Sequence, residues 1–510
     1  SITRLNSILQ KAPYNQSAKI AKEATISFVG MTFGQVTRYI FTALLARLVG
    51  VEYLGVYSIA NSLTKLFEVF GKAGLDTGIL RFVSMQDKDT QKDSIRDNIQ
   101  SAIKMSSILS LIMMALQLGM AGWIVNSLYR GNSNLTFTLF IFAFSIPFSS
   151  FVLVAGSATQ GFKLLKYKVF VAQMLVPFVL LASMIFCYFV FDEKYIISIP
   201  ILFSSVIGAI AIFYFLRRIS KIRLHSILSA KINPQLLKFS IPLLFMTILG
   251  TLMHWIDILM IGYFMDEKSV GLYMPAVRTA GLIRSVMLAF MSIFSPMISE
   301  LNAKSDYKGM VNMYNLVVRW ILSFAIPISI IFILYSTKVM LLFGGQFKAG
   351  ADALVILTCA ALIQSLLGSG GSVLTMTGHT KINLVNSILI TTLNIVLNFV
   401  LIPKYGIYGA AYATLISFTG IGLIRTIEIQ VLERINPFSL KLFKPIIAGI
   451  GACGAGIFIR PMLMSYHTLI TLLIASIAVF IPFYIILWIL KFDDDDKSIL
   501  AGLLMIKRKG

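Results

Sequence analysis

The stretch that decides the fold is EYLGVYSIA, residues 52–60, because the chain writes it twice. It returns at 268–276 as KSVGLYMPA, so that Gly55 and Tyr57 match Gly271 and Tyr273 at a spacing of 216 residues. A second pair keeps the period: GSATQGFKLLKYK (156–168) against GSVLTMTGHTKI (371–382) aligns Gly161 with Gly378, 217 residues apart. Around these motifs the sequence is a succession of apolar runs separated by short polar breaks. The first motif opens the second and eighth runs, and the second lies at the exits of the fourth and tenth. Each repeat therefore holds six runs, an even number, so the two copies share one orientation about an axis along a membrane normal.

The 510 residues are 57% hydrophobic and 13% charged, with a mean hydropathy of +0.84, whereas soluble domains carry about 25% charged residues. A membrane-spanning helix needs roughly 20 mainly apolar residues, and fourteen such runs fit between residues 24 and 490. Strand-like alternation is missing, which argues against a membrane barrel. The expectation is an all-α polytopic membrane protein. It has an N-terminal segment 1–23, an N-lobe 24–216, a basic linker 217–238, a C-lobe 239–431, two further spans within 432–490 and a tail 491–510. Most of the 44 Lys and Arg fall on the side of the termini, led by LRRISKIRLHSILSAKINPQLLK (216–238) and KRKG (507–510). Both termini and the linker are thus expected to be cytoplasmic in a cell membrane. The net charge of +22 then reports orientation and contact with anionic lipid heads, not nucleic acid.

Residues 1–23 are polar and basic without a continuous apolar core, unlike a cleavable signal peptide. An amphipathic surface helix before Pro13 fits them. DDDDK (493–497) reads as a solvated acidic turn before the amphipathic SILAGLLMIKRKG (498–510). Cys187, Cys359 and Cys453 lie far apart in apolar runs, with neither disulfide nor zinc-ligand spacing.

Charges inside the runs mark a candidate site. NSLTKLFEVFGKAGLD (61–76) puts Asn61, Lys65, Glu68, Lys72 and Asp76 on one helical stripe. At roughly 3 kcal/mol each on insertion scales, four charges cost about 12 kcal/mol, while the apolar residues of this span return about 4–5. The charged side must meet protein, water or a polar ligand. A structural ladder of Lys65–Glu68 and Glu68–Lys72 pairs is the competing reading. In the first span Gln35, Arg38 and Thr42 form another polar stripe. The repeat relates Arg38 to His254, which Asp257 follows one turn later: a candidate ion or proton site, or a packing pair. It relates Lys65 to position 281, between Arg278 and Arg284. Arg47, Lys104 and Arg425 lie near span ends, where they can snorkel to the interface.

Duplicated six-span lobes are typical of alternating-access transporters, with the site between the lobes near the midplane. The chain has no GxxxxGK[ST] loop, HExxH or Cys cluster, so ATP hydrolysis, a metal centre and enzyme activity are not expected.

Fourteen spans, G-[VL]-Y opening the second and eighth, and LIPKYGIYGAAYATLIS (401–417) with Pro403, Gly406, Gly409, Ala410 and Ala411 together resemble one family. It is the polysaccharide-transport branch of the multidrug/oligolipid/polysaccharide exporters, and the likeness runs over essentially the whole chain. It implies a Wzx-like flippase that carries undecaprenyl-pyrophosphate-linked oligosaccharide to the outer leaflet for surface polysaccharide assembly. The implied mechanism is alternating access around a cationic inter-lobe cavity. In the similar lipid II flippases, cavity cations come from spans one, two, seven and eight. By span, that likeness makes Arg38, Lys65, Arg278 and Arg284 the substrate-binding set. Gln35, Asn61, Glu68, Lys72, Asp76, His254 and Asp257 become cavity polar or coupling-ion residues. It implies no cofactor and, as the driving force, membrane potential or counter-transport of H⁺ or Na⁺. The implied partners are the lipid-pyrophosphate-linked oligosaccharide, membrane lipids and a glycan polymerase. Two alternatives stand beside it: an ion-coupled drug or small-molecule antiporter of the same superfamily, and a non-transporting scaffold for the polymerase. Drug exporters often carry an acid in the first span, where this chain has Arg38. Arginine in a dry cavity favours an anion, because its fork binds phosphate oxygens in pairs.

Overall fold

The computed structural model describes residues 14–85, 92–162, 164–436, 440–463 and 465–490. The expected helix before Pro13 and the acidic turn with its tail lie outside them. Among the described residues all regular structure is helical, as a lipid solvent demands of an open chain, since each backbone polar group must be bonded within its own segment.

Helix α1 runs Tyr14–Lys72 and is kinked at Gly50, where φ is +77°. Left-handed Ala73 and Gly74 separate it from α2, Leu75–Met85. Next come α3 (Lys92–Leu128), α4 (Ser133–Ala143) and α5 (Ser145–Gly161). Asn132 caps α4 by accepting from the backbone N–H groups of Asn134 and Leu135. Short α6 (Leu165–Val169) passes through a π-helical turn, Phe170–Leu175, into α7 (Val176–Val190). Then follow α8 (Glu193–Ser220), α9 (Leu224–Leu228), α10 (Pro234–Phe264) and α11 (Glu267–Ala303).

Contacts divide the chain into two compact units, Ser1–Gly271 and Leu272–Gly510. Helix α10 thus falls in the first unit, packed on α1 and α2. Other first-unit pairs are α1 with α3, α2 with α5, and α5 and α7 with α8. Its core gathers Leu75, Ile79, Ile99, Val154, Val171 and Leu236.

The repeat motif itself is a close approach inside this unit. A Cβ on Gly55 would stand 1.7 Å from the carbonyl oxygen of Glu267, and one on Gly271 would stand 1.9 Å from that of Val51. Each glycine rests on the other helix one turn before its counterpart. Glycine is kept at both places because the backbones touch.

The basic linker is clasped by α3. Arg96 Nη2 donates to Lys221 O, Gln100 Nε2 to Ser226 Oγ and Lys104 Nζ to Ala230 O, while Ser101 Oγ accepts from Asn233 N. Lys104, expected to snorkel, thus holds a loop carbonyl.

The second unit contains the rest of α11, then α12 (Tyr307–Leu334), α13 (Ser336–Met340), α14 (Ala351–Leu367), α15 (Gly370–Met376), α16 (Thr380–Tyr405), α17 (Ile407–Glu433), α18 (Phe443–Leu463) and α19 (Thr468–Ile489). Helix α17 packs on α14 and α16, α12 on α14 and α18, and α18 on α19. Its core holds Tyr314, Val318, Val373, Ala448, Val479 and Phe483. Outward faces are apolar in both units: Phe189 is 78% exposed and Phe458 is 81%. In water this would be costly; against lipid chains it is the solvent-matched face.

Among the described residues, twelve helices are long and apolar enough to cross a membrane, or thirteen with α4 and α5, bent by 43°, taken as one crossing. The expected fourteen exceeds this count. One of the twelve, Phe28–Met85, has 58 residues; at 1.5 Å per residue it would run about 87 Å if straight, some twice the thickness of a bilayer with its headgroups, and it turns at Gly50. Two crossings in that element would make up the difference.

Candidate functional site

The first unit brings together nine residues singled out from the sequence: Gln35, Arg38, Asn61, Lys65, Glu68, Lys72, Asp76, His254 and Asp257 all lie on α1, α2 and α10, which pack on one another. Lys65 Nζ meets Glu68 Oε2 at 2.6 Å; the carboxylate side chain is 6% exposed and the lysine 38%. Glu68 does not pair with Lys72. Its Oε2 also accepts from Ser149 Oγ of α5 at 3.0 Å, and Lys72 turns the other way, to Asp76 Oδ2 at 2.7 Å. The ladder is therefore two separate rungs. The second rung bridges the α1–α2 break at Ala73 and Gly74, tying two helix ends whose axis the left-handed residues have turned.

Behind the stripe, fully buried Gln117 of α3 donates through Nε2 to Thr64 Oγ1 and Leu139 O. It fixes the back of α1 with neutral hydrogen bonds. Asn61 is buried and Gln35 half-buried.

Arg38 is held by the π-helical turn. Its Nη1 and Nη2 both donate to Gln173 Oε1, at 3.1 and 3.2 Å, and Nη2 also reaches Ala172 O at 3.2 Å. A π turn inserts a residue and frees a carbonyl from the helical ladder, so this irregularity supplies part of the cradle. Gly34, one turn earlier, lets α1 approach: a Cβ there would stand 2.4 Å from Gln173 O. On α10, His254 is exposed with its ring 4.7 Å from that of Trp255, and Asp257 is half-buried one turn on.

In the second unit, Arg278 and Arg284 lie on α11 and both are half-buried. At 3.6 residues per turn their directions differ by about 120°, so they serve different sides of the helix. Arg284 Nε is enclosed without a hydrogen-bond acceptor. Among the described residues the Arg284 side chain has neither a hydrogen bond nor an ion pair.

Arg425 lies over Gly370 and Gly371 and donates through Nη2 to Asn383 Oδ1 at 2.9 Å. Ser149, Gln173 and Gln117 were not singled out by sequence. Each is an ordinary polar residue in an apolar run, and its partner lies 22 to 135 residues away.

A family model described as "Polysaccharide biosynthesis protein" matches residues 44–352. A probable low-salt glycan biosynthesis flippase, Agl15 of Haloferax volcanii, is 26% identical over 170 residues; the match spans 33% of this chain and 36% of that relative's length. The fold is similar to that of the lipid II flippase MurJ in an inward closed conformation, with a TM-score of 0.72 at 18% identity, covering 90% of this chain and 98% of MurJ. It is similar also to an inward-facing multidrug resistance MATE family transporter of the MOP superfamily, with a TM-score of 0.66 at 15% identity, over 80% of this chain and 98% of that one.

Proposed function

We infer the function from a premise the match secures: the chain belongs to the polysaccharide biosynthesis protein family, and we propose that it is a membrane flippase for lipid-linked glycans. The substrate proposed is an oligosaccharide on a lipid pyrophosphate such as undecaprenyl pyrophosphate, moved across the cell membrane by alternating access of the repeats 24–216 and 239–431. The termini and the linker 217–238 are proposed to be cytoplasmic.

One observation carries the reading: Arg284, a guanidinium in a membrane helix with no carboxylate and no hydrogen-bond acceptor among the described residues. An intramembrane charge is costly without a counter-charge, and an arginine kept in that state has its fork available to an anion. Phosphate oxygens match that fork, whereas a cationic drug would be repelled. Arg38 supports the same reading: Gln173 and Ala172 are acceptors that orient its guanidinium.

The reading is tested in the cell. Removing the protein should make a lipid-pyrophosphate-linked oligosaccharide accumulate on the cytoplasmic face, and the Arg284→Gln variant should reproduce that accumulation. Unchanged lipid-linked intermediates, together with sensitivity to cationic drugs, would instead favour the antiporter.

A further inference from the structure

We propose that Lys168, together with Lys72, forms a second anion-binding station in the first unit, for a phosphate-bearing ligand. It rests on the reading above for the identity of the ligand but stands on its own geometry.

The GS dipeptide of the second repeat motif seats a cation in each unit. In the first, the stem of Lys168 lies over Gly156: a Cβ there would stand 3.1 Å from Lys168 Cγ. In the second, Arg425 lies over Gly371, where a Cβ would stand 3.0 Å from Cζ. Uncharged groups hold both. Lys168 Nζ donates to Ser157 Oγ at 3.0 Å and Gln160 Oε1 at 2.8 Å. Arg425 donates to Asn383 Oδ1, and Asn383 in turn donates to Thr375 Oγ1.

The surroundings of the two seats differ in charge. Lys168 is half-buried and interacts electrostatically with Asp76 and Lys72. Asp76 already takes Lys72 at 2.7 Å on Oδ2 and the Thr77 N–H at 3.0 Å on Oδ1. Lys72 thus takes Asp76, with side chains only 12% and 17% exposed, while the hydrogen-bond acceptors of Lys168 Nζ are uncharged. An excess positive charge remains in a poorly solvated place. Arg425 has Glu428 as its electrostatic neighbour, and buried Glu433 sits on the same helix, paired with His379 at 3.0 Å. There the negative charge offsets the arginine. The first seat suits an anion, and the second is a structural fastening of the same design.

Lys72 follows Lys65 by seven residues, which places the station about 10 Å along α1 from the deep charge set. An anion held there would be two helical turns from Lys65. That spacing fits a waiting position for a head group before it reaches the deeper cations.

Two measurements on the full chain test this. In the first, Thr77→Cys, an exposed position beside Asp76 that leaves both lysines in place, is made in a background with Cys187, Cys359 and Cys453 replaced, and the introduced thiol is modified by a methanethiosulfonate reagent in phosphatidylcholine vesicles. Inorganic pyrophosphate should slow modification severalfold, and the Lys72→Gln change should remove that protection while Arg425→Gln leaves it. Protection by phosphatidylglycerol vesicles without pyrophosphate would assign the same phosphate site to a bulk lipid headgroup. In the second, reconstituted transport of a labelled lipid-linked oligosaccharide is measured. Lys168→Gln should raise KM roughly tenfold, the size of one lost charge-assisted hydrogen bond, with kcat little changed and recovery in Lys168→Arg. Absence of protection in both lipids, with KM unmoved, would overturn the station and leave the flippase reading intact. Failure of the wild-type chain to transport would sink the flippase reading, while the thiol measurement would still decide the station.

Discussion

Glu68 is the residue on which the charged stripe turns. Its side chain is 6% exposed and takes both Lys65 and Ser149, so removing it strands an ammonium beside a membrane core. Because Lys65 is 38% exposed, the penalty should fall between a surface pair and a buried one. We expect Glu68→Ala to cost about 1–3 kcal/mol. In a thermal-unfolding cycle with Lys65→Met, the double variant should recover most of the loss. The stripe was legible in the sequence because three- and four-residue spacings address one helical face. Of its pairs, Lys65–Glu68 forms as the spacing allows, whereas Lys72 takes Asp76. Glu68–Lys72 has suitable spacing, yet Ser149 draws Glu68 away, and that serine lies 81 residues off, where no local pattern points to it. Lys168 was hidden for a related reason: it sits in a polar break of the sequence, and only the fold lays it over Gly156.

At the scale of elements, two irregularities do what regular helices cannot. The π turn Phe170–Leu175 presents Ala172 O and the Gln173 side chain to Arg38. Hydrophobic patterning shows that a helix runs through this stretch, but one inserted residue does not change the pattern enough to be seen. Gln173→Leu should release the Arg38 head, and Gln173→Glu should neutralise it by an ion pair. Either change is expected to lower the initial transport rate about tenfold, measured with the reconstituted protein; full activity in both would show that the cradle does not place a working charge. The second irregularity is the glycine crossing. The repeat made Gly55 and Gly271 conspicuous, and the structure supplies the reason, since a Cβ at either would run into a carbonyl oxygen. Gly55→Val should force the two backbones apart at a cost of about 1–3 kcal/mol, read as a lower unfolding temperature in detergent. Unchanged stability would mean that the crossing is looser than its geometry.

For the whole molecule, the repeat and the apolar composition indicated a helical membrane protein, which the structure shows among the described residues, and the motif at 401–417 resembled polysaccharide transporters; the match over residues 44–352 places the chain in a polysaccharide biosynthesis family. The number of crossings was harder to settle: the sequence divides into two apolar runs about Gly50, where the structure has one long helix that is kinked but not interrupted. The cations proposed to bind substrate are spread over the sequence at positions 38, 65, 278 and 284, and that proposal is tested by transport, not by any one contact. The most direct measurement reconstitutes the purified protein in vesicles and follows a fluorescent lipid-pyrophosphate-linked oligosaccharide as it becomes accessible to a membrane-impermeant quencher. The wild-type chain should speed its appearance on the opposite leaflet. The combined Arg38→Gln, Lys65→Gln, Arg278→Gln and Arg284→Gln variant, folded by its unfolding temperature, should not exceed protein-free vesicles. Transport by that variant at the wild-type rate, or none by the wild type with an intact lipid-linked substrate, would contradict the account.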